Sequence, residues 1–224
     1  MATAPTGPDA SARIGVAILA RAPVPGEAKT RLIPTLGADG AARLQRWLLR
    51  RTVAMALAAD IGPVDLWCAG DLDHPDFARC RALGSVTLHR QPDADLGTRM
   101  LTAVRESPTP AGTLVIGTDC PALRSAHLQQ AAQLLRELDA LAFPAEDGGY
   151  VLIGMKTPSS DLFDGIEWGS ERVMLQTRQR LAALGWRWSE PMTLWDVDDP
   201  RDFERLAAYC PEVRGDLSRG SKID

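Results

Sequence analysis

Residues 13–32 read RIGVAILARAPVPGEAKTRL, and the fold turns on how that stretch is interpreted. Ile14 through Ala20 form an unbroken apolar run that ends at Arg21. A short apolar run without polar alternation reads as a strand covered on both faces. Pro23 and Pro25 forbid helix and keep the chain extended, and Gly26 lets the backbone turn or approach a ligand closely. Arg21, Lys29 and Arg31 then set three cations just past the strand end. A phosphate-bearing ligand needs such a loop; an ordinary basic surface loop is the plainer reading.

Working outward, apolar periodicity predicts helices over residues 38–59, 76–83, 96–107, 125–138, 170–184 and after Pro200. Strands are expected at 64–69, 86–88, 113–117, 140–143, 150–154 and 193–195. The alternation specifies one α/β domain, a three-layer α/β/α arrangement with a mostly parallel sheet and an antiparallel insertion across 140–154. Ligands of such sheets bind beyond the carboxyl ends of the strands, where the strand order reverses. With the first and fourth strands adjacent, the loop carrying Arg21, Lys29 and Arg31 would face the loop carrying Asp119 across one crevice.

Composition narrows the function. The chain has 224 residues and a net charge of −4, which argues against a general nucleic-acid binder and makes the basic loop a local feature. Cys68, Cys80, Cys120 and Cys210 form no C-x-x-C pair and, with three histidines, no zinc spacing. Reduced thiols and a cytoplasmic location are the expectation. No run reaches membrane-span length. Residues 1–12 read as a disordered tail, 13–210 as the domain, and 211–224 as a polar, frayed end.

Three further motifs carry chemistry. Asp119, within GTDCP, sits at the tip of a buried strand, where a carboxylate can hold a hard cation or cap the next helix. In WDVDDPRD, Asp196 and Asp198 are two apart, so both carboxylates point to one side in extended chain. Such a pair repels unless a cation lies between. Asp199, Pro200 and Asp202 instead spell N-cap, N1 and N3. Glu146-Asp147-Gly148-Gly149 is either a hairpin turn or a glycine-lined wall of a ligand pocket. Asp95 caps a helix that contains Gly97 and Arg99; Arg99 meets phosphate or pairs with Asp93 or Asp95. Trp168 offers a pocket wall, and Ser170 a cap. No Walker A loop, G-x-S-x-G elbow or Ser-His-Asp set is present.

Taken in order, ARAPVPGEAKTRL, DLGTRM, GTDCPAL, PAEDGGYVLIG, WGSERV and WDVDDPRDFERL resemble the GT-A-type nucleotide-binding transferases, in particular bacterial glycosyltransferase-like proteins. The chain is also similar to the phosphoenolpyruvate or phospholactate guanylyltransferases and, more distantly, to the molybdenum-cofactor guanylyltransferases. The resemblance implies a Mg2+ (or Mn2+) cofactor held by Asp119, Asp196 and Asp198. It implies that Lys29, Arg31 and Arg21 grip the donor phosphates, with Lys29 and Asp119 as the catalytic pair. Gly26, Asp95, Gly97 and Arg99 would complete the nucleotide site, and Glu146, Asp147, Gly148, Gly149, Trp168 and Ser170 would line a pocket for donor or acceptor. The partners implied are a nucleoside triphosphate or nucleotide-sugar donor and a small-molecule acceptor. Nucleotidylyl transfer with pyrophosphate release is slightly favoured over glycosyl transfer, and a non-catalytic nucleotide-binding protein ranks third.

Overall fold

The apolar run after Arg13 becomes the central strand of the sheet. In the computed structural model, which describes residues 13–107 and 109–218, β1 spans Gly15–Arg21 and lies between β2 (Val64–Ala69) and β4 (Thr113–Ile116), parallel to both. Alternate residues face opposite ways. Val16, Ile18 and Ala20 join one apolar cluster and Ala17 the other, which is why the run shows no polar alternation.

The seven strands take the order β3-β2-β1-β4-β6-β5-β7. β3 is Val86–Arg90, β5 is Ala140–Pro144 and β6 is Tyr150–Met155. β6 runs antiparallel to both β4 and β5, so it is the one reversed strand and the insertion expected from residues 140–154. β7, Trp188–Ser189, pairs parallel to β5. The strand expected at 193–195 is a single bridge from Leu194 to Ala145. Two residues are too short for a periodic signal, and β7 exists because the edge of β5 recruits it.

On one face lie α1 (Ile33–Ala59), α2 (Pro75–Arg81), α4 (Ser125–Glu137), α6 (Pro200–Tyr209) and α7 (Glu212–Ser218). The other carries α3 (Leu96–Glu106) and α5 (Val173–Ala183). Gly37, at φ 70° and ψ 165°, breaks the first turn of α1, so its continuous part starts where the sequence indicates, at Ala38. The end expected to fray from residue 211 is instead helical through Ser218. Val213 is fully buried and Leu217 nearly so, four apart on one helical face that packs against the core. The tail expected over 1–12 and the residues after 218 lie outside the described residues.

All four cysteines are free and buried. Among the described residues no helix is long and apolar enough to cross a membrane. Phe143 is fully buried where β5 meets the larger cluster. Phe143→Ala should lower unfolding free energy by about 3–5 kcal/mol, the usual cost of emptying an aromatic core site. Urea unfolding measures it, and a loss below about 1 kcal/mol would show a core that collapses freely around the gap.

Candidate functional site

β1, β4 and β5 point their carboxyl ends the same way, and the reversal of β6 returns the 145–149 turn to that same end. Four segments therefore converge: the loop after β1, the loop after β4, the β5–β6 turn and the strand-like stretch before α6. The last is fixed by a reciprocal cap. Asp199 accepts from the backbone N–H groups of Arg201 and Asp202 (2.7 and 3.0 Å), and Asp202 accepts from those of Asp198 and Asp199 (3.0 Å each). The capping role read for Asp199 and Asp202 thus holds, and it leaves Asp196 and Asp198 free for other work.

Lys29 joins three of these segments. Its Nζ lies 2.9 Å from Asp119 Oδ1 and 3.2 Å from Asp198 Oδ1, and it donates to the Val197 carbonyl. The Val197 N–H in turn donates to the Asp119 carbonyl at 2.9 Å. The Lys29 side chain is only 6% exposed. Burial works against its charge, but Asp119 and Asp198 outweigh that and hold its pKa above the ordinary lysine value. The backbone at Lys29 is left-handed, φ 48° and ψ 46°, rare for a residue with a Cβ. The three oxygen partners hold it there. In this structure the three oxygens occupy all of its donors and tie the three segments together.

The acidic side of the site differs from the expected set. Carboxylate oxygens of Asp147, Asp196 and Asp198 all lie within 4.8 Å of one another. Asp196 and Asp198 of the expected set are joined there by Asp147, read as a pocket residue, while Asp119 pairs with Lys29 and its charge also acts on Asp196. Asp147 stands in the β5–β6 turn, where Gly148, at φ 91°, lies so close to the segment before α5 that a Cβ would sit 2.2 Å from the Glu171 carbonyl oxygen. Asp147 accepts from the Gly149 N–H at 2.9 Å, which orients it. Burial, then the charges of Asp147 and Asp198, with Asp119 adding less, push Asp196 up to about 7. Carboxylates crowded this way fit a hard divalent cation such as Mg2+ or Mn2+, for which an all-oxygen set is suited.

Other expected residues have separate places. Arg31 is 75% exposed, 3.8 Å from Asp198, and Arg21 is exposed at the end of β1. Gly26 has φ 84° and open space around it. Asp95 caps α3 through the Thr98 N–H at 2.7 Å. Arg99 donates to the Ala94 carbonyl at 2.7 Å, and its charge acts favourably on the Asp95 carboxylate. Gly97 makes room for an aromatic side chain, since a Cβ there would lie 2.7 Å from the Trp168 ring. Trp168 also packs on Phe163. Ser170 donates to the Glu167 carbonyl and accepts from the Arg172 N–H, closing the turn before α5. Glu146 is held by Arg205 in a two-pronged pair at 2.6 and 3.0 Å. Sequence reasoning missed Gln45 and Thr52. Buried on α1, they donate to Thr118 Oγ1 and the Thr118 carbonyl and so brace the loop that carries Asp119. Their only signal is a polar residue on an apolar helical face.

A mostly parallel sheet with one reversed strand and an acidic crevice at its carboxyl end defines the nucleotide-diphospho-sugar transferase-like fold. The chain belongs to the family described as "Uncharacterized protein conserved in bacteria (DUF2064)", matched over residues 52–170. No curated protein matches it. Among solved structures, a protein of Desulfovibrio desulfuricans G20, provisionally described as a nucleotide-diphospho-sugar transferase, is 27% identical. That match covers 92% of this chain and 90% of the other, with a TM-score of 0.77. CMP:2-keto-3-deoxy-manno-octonic acid synthetase, complexed with CTP, is 15% identical over 89% of this chain and 99% of its own, with a TM-score of 0.54. Rv0371c of Mycobacterium tuberculosis H37Rv, in complex with manganese, is 17% identical over 87% and 97%, with a TM-score of 0.53. The last two share the fold.

Lys29→Met keeps the length and removes the charge, leaving Asp119 and Asp198 without their cation. Both carboxylates are about two-fifths exposed. The loss should therefore be about 2–3 kcal/mol, below the 3–5 of a fully buried pair. Unfolding at pH 7.5 measures it, and unchanged stability would show that Lys29 ties nothing.

Proposed function

We propose that the protein is a divalent-cation-dependent transferase that uses a nucleotide-activated donor. The observation that carries this reading is the meeting of Asp147, Asp196 and Asp198 beside the Lys29 tie, at the ligand end of the sheet. In the reading, these three carboxylates hold the cation, which when bound supplies charge neutralisation to the donor's phosphates. Arg21 and Arg31, exposed at the mouth, bind the phosphates from the other side. Lys29 keeps Asp119 and Asp198 in register, and Trp168 walls the space beside α3.

Two donors suit this arrangement. A nucleotide-diphospho-sugar is favoured, because Lys29 is committed to carboxylates and two arginines remain for a diphosphate. The 27%-identical relative described as a nucleotide-diphospho-sugar transferase supports the same choice. An acceptor hydroxyl oxygen would bond to the anomeric carbon as the carbon–phosphate oxygen bond breaks. Nucleoside diphosphate leaves, and the hydroxyl proton passes to solvent. The second reading is nucleotidylyl transfer from a nucleoside triphosphate, favoured by the basic loop after β1 and by the fold shared with the CTP-bound synthetase. Incubation with panels of both donors, candidate acceptors and Mn2+ separates them. Nucleoside diphosphate release supports the first and pyrophosphate the second; neither product with any donor would remove the transferase reading.

Two further outcomes are expected. Asp196→Asn and Asp147→Asn should each weaken Mn2+ binding by at least about tenfold, while Glu146→Gln leaves it unchanged; paramagnetic titration of free Mn2+ reads this directly. Equal affinity in all three variants would place the cation elsewhere. Arg31→Ala should weaken donor binding several-fold at low salt, with the difference shrinking as salt rises; an affinity equal to wild type at every salt concentration would clear Arg31 of phosphate contact.

A further inference from the structure

On the outer side of α1, four separate parts of the chain line a groove of about 1150 Å³. Its walls come from α1, α2, the loop entering α4, and α7. Six arginines line it: Arg43, Arg46, Arg50, Arg51, Arg79 and Arg124. Only Asp76, Glu212 and Asp216 oppose them. In a chain of net charge −4, this is a concentrated reversal of sign.

The existing pairings leave the groove cationic. Asp76 is fully buried and takes both Arg46 Nε at 2.8 Å and Arg79 Nη1 at 2.9 Å, so two guanidinium groups share one carboxylate. Those hydrogen bonds outweigh burial and hold Asp76 below the usual carboxylate range. Arg51 donates to the Pro121 carbonyl and Arg124 to the Tyr209 hydroxyl, both neutral partners. Among the described residues, Arg50 has no ion pair, and Arg43 has neither an ion pair nor a hydrogen-bond partner for its buried Nε. An unpartnered guanidinium N–H removed from water is costly unless an acceptor reaches it. Arg43, Arg46 and Arg50 follow one another at helical spacing, so their head groups share one face of α1. Between them Trp47 presents its ring, held by the Arg51 guanidinium 5.4 Å from its centroid.

We propose that this groove is a second ligand site, one that takes a phosphate-bearing small molecule with an apolar or ring-containing part. Guanidinium groups match phosphate oxygens in pairs. A concave space walled by four segments is close to the size of small-molecule clefts, roughly 300–1,000 Å³, and unlike the flatter patch of a protein partner. The groove borders the stretch that also carries Asp119. Leu123 and Arg124 line it, and Arg51 grips Pro121, two residues beyond that carboxylate.

Calorimetric titration of the full chain with ADP and with pyrophosphate, in excess chelator to silence divalent-cation binding, tests the proposal. The comparison proteins are Arg43→Gln/Arg50→Gln and Arg31→Ala. Among the described residues neither the Arg43 nor the Arg50 side chain has a hydrogen bond or ion pair to lose, so the double variant should keep the wild-type melting temperature. Both probes should bind wild type, with ADP the tighter. The double variant should weaken both by about tenfold or more, the effect of losing charge-assisted hydrogen bonds, while Arg31→Ala leaves them within about twofold. Absence of heat with either probe would overturn the proposal. So would undiminished binding by the double variant, or loss of binding in Arg31→Ala alone. Binding of a glutamate-rich peptide, but of neither phosphate probe, would replace the small molecule with an acidic protein segment.

Discussion

One buried ammonium group organises the ligand end of this protein. Lys29 stands on the loop after the central strand, Asp119 after the fourth, and Asp198 just ahead of a late helix; the Lys29 nitrogen touches both carboxylates. A charge that is 6% exposed persists only because oxygen atoms surround it. The left-handed backbone at Lys29 and the prolines before it direct the side chain inward. The reciprocal cap of α6 holds the other end of the tie still. Satisfying Lys29 therefore fixes where Asp119 and Asp198 stand, with Asp147 and Asp196 gathered beside Asp198.

Much of this was legible in the residues. An unbroken apolar run followed by Pro, Gly and basic residues identifies the central strand and its functional end. The rule that ligands sit where strand order reverses brings Arg21, Lys29, Arg31 and Asp119 together before any coordinates are known. The spacing of Asp196 and Asp198 shows that their role differs from the capping pair beside them. The identity of each partner was not legible. Whether Lys29 meets phosphate or carboxylate depends on ångström-scale placement of three loops, which no periodicity encodes. Asp147 enters the acidic cluster from the β5–β6 turn, where Gly148 packs closely against Glu171. Sequence patterns allow that turn but do not say what it faces.

The smaller misses share a cause. β7 is two residues long and depends on its neighbour for existence. α7 carries its apolar face on only Val213 and Leu217, too few to stand out in a polar stretch. In each case tertiary contact, rather than local preference, sets the role. The same holds for α1: the sequence reads it as one amphipathic helix, whereas its inner face braces the Thr118 loop through Gln45 and Thr52 and its outer face gathers arginines.

The partners of the central tie are far apart along the chain: Lys29 and Asp198 are separated by 169 positions. Contacts at such separation close late, since the loop between them must be ordered first. During synthesis the first strands can pair while Asp196 and Asp198 are still to be made. The acidic crevice is thus among the last features to mature, and a nascent chain with most of its sheet assembled holds Lys29 through Asp119 alone, before Asp198 completes the tie.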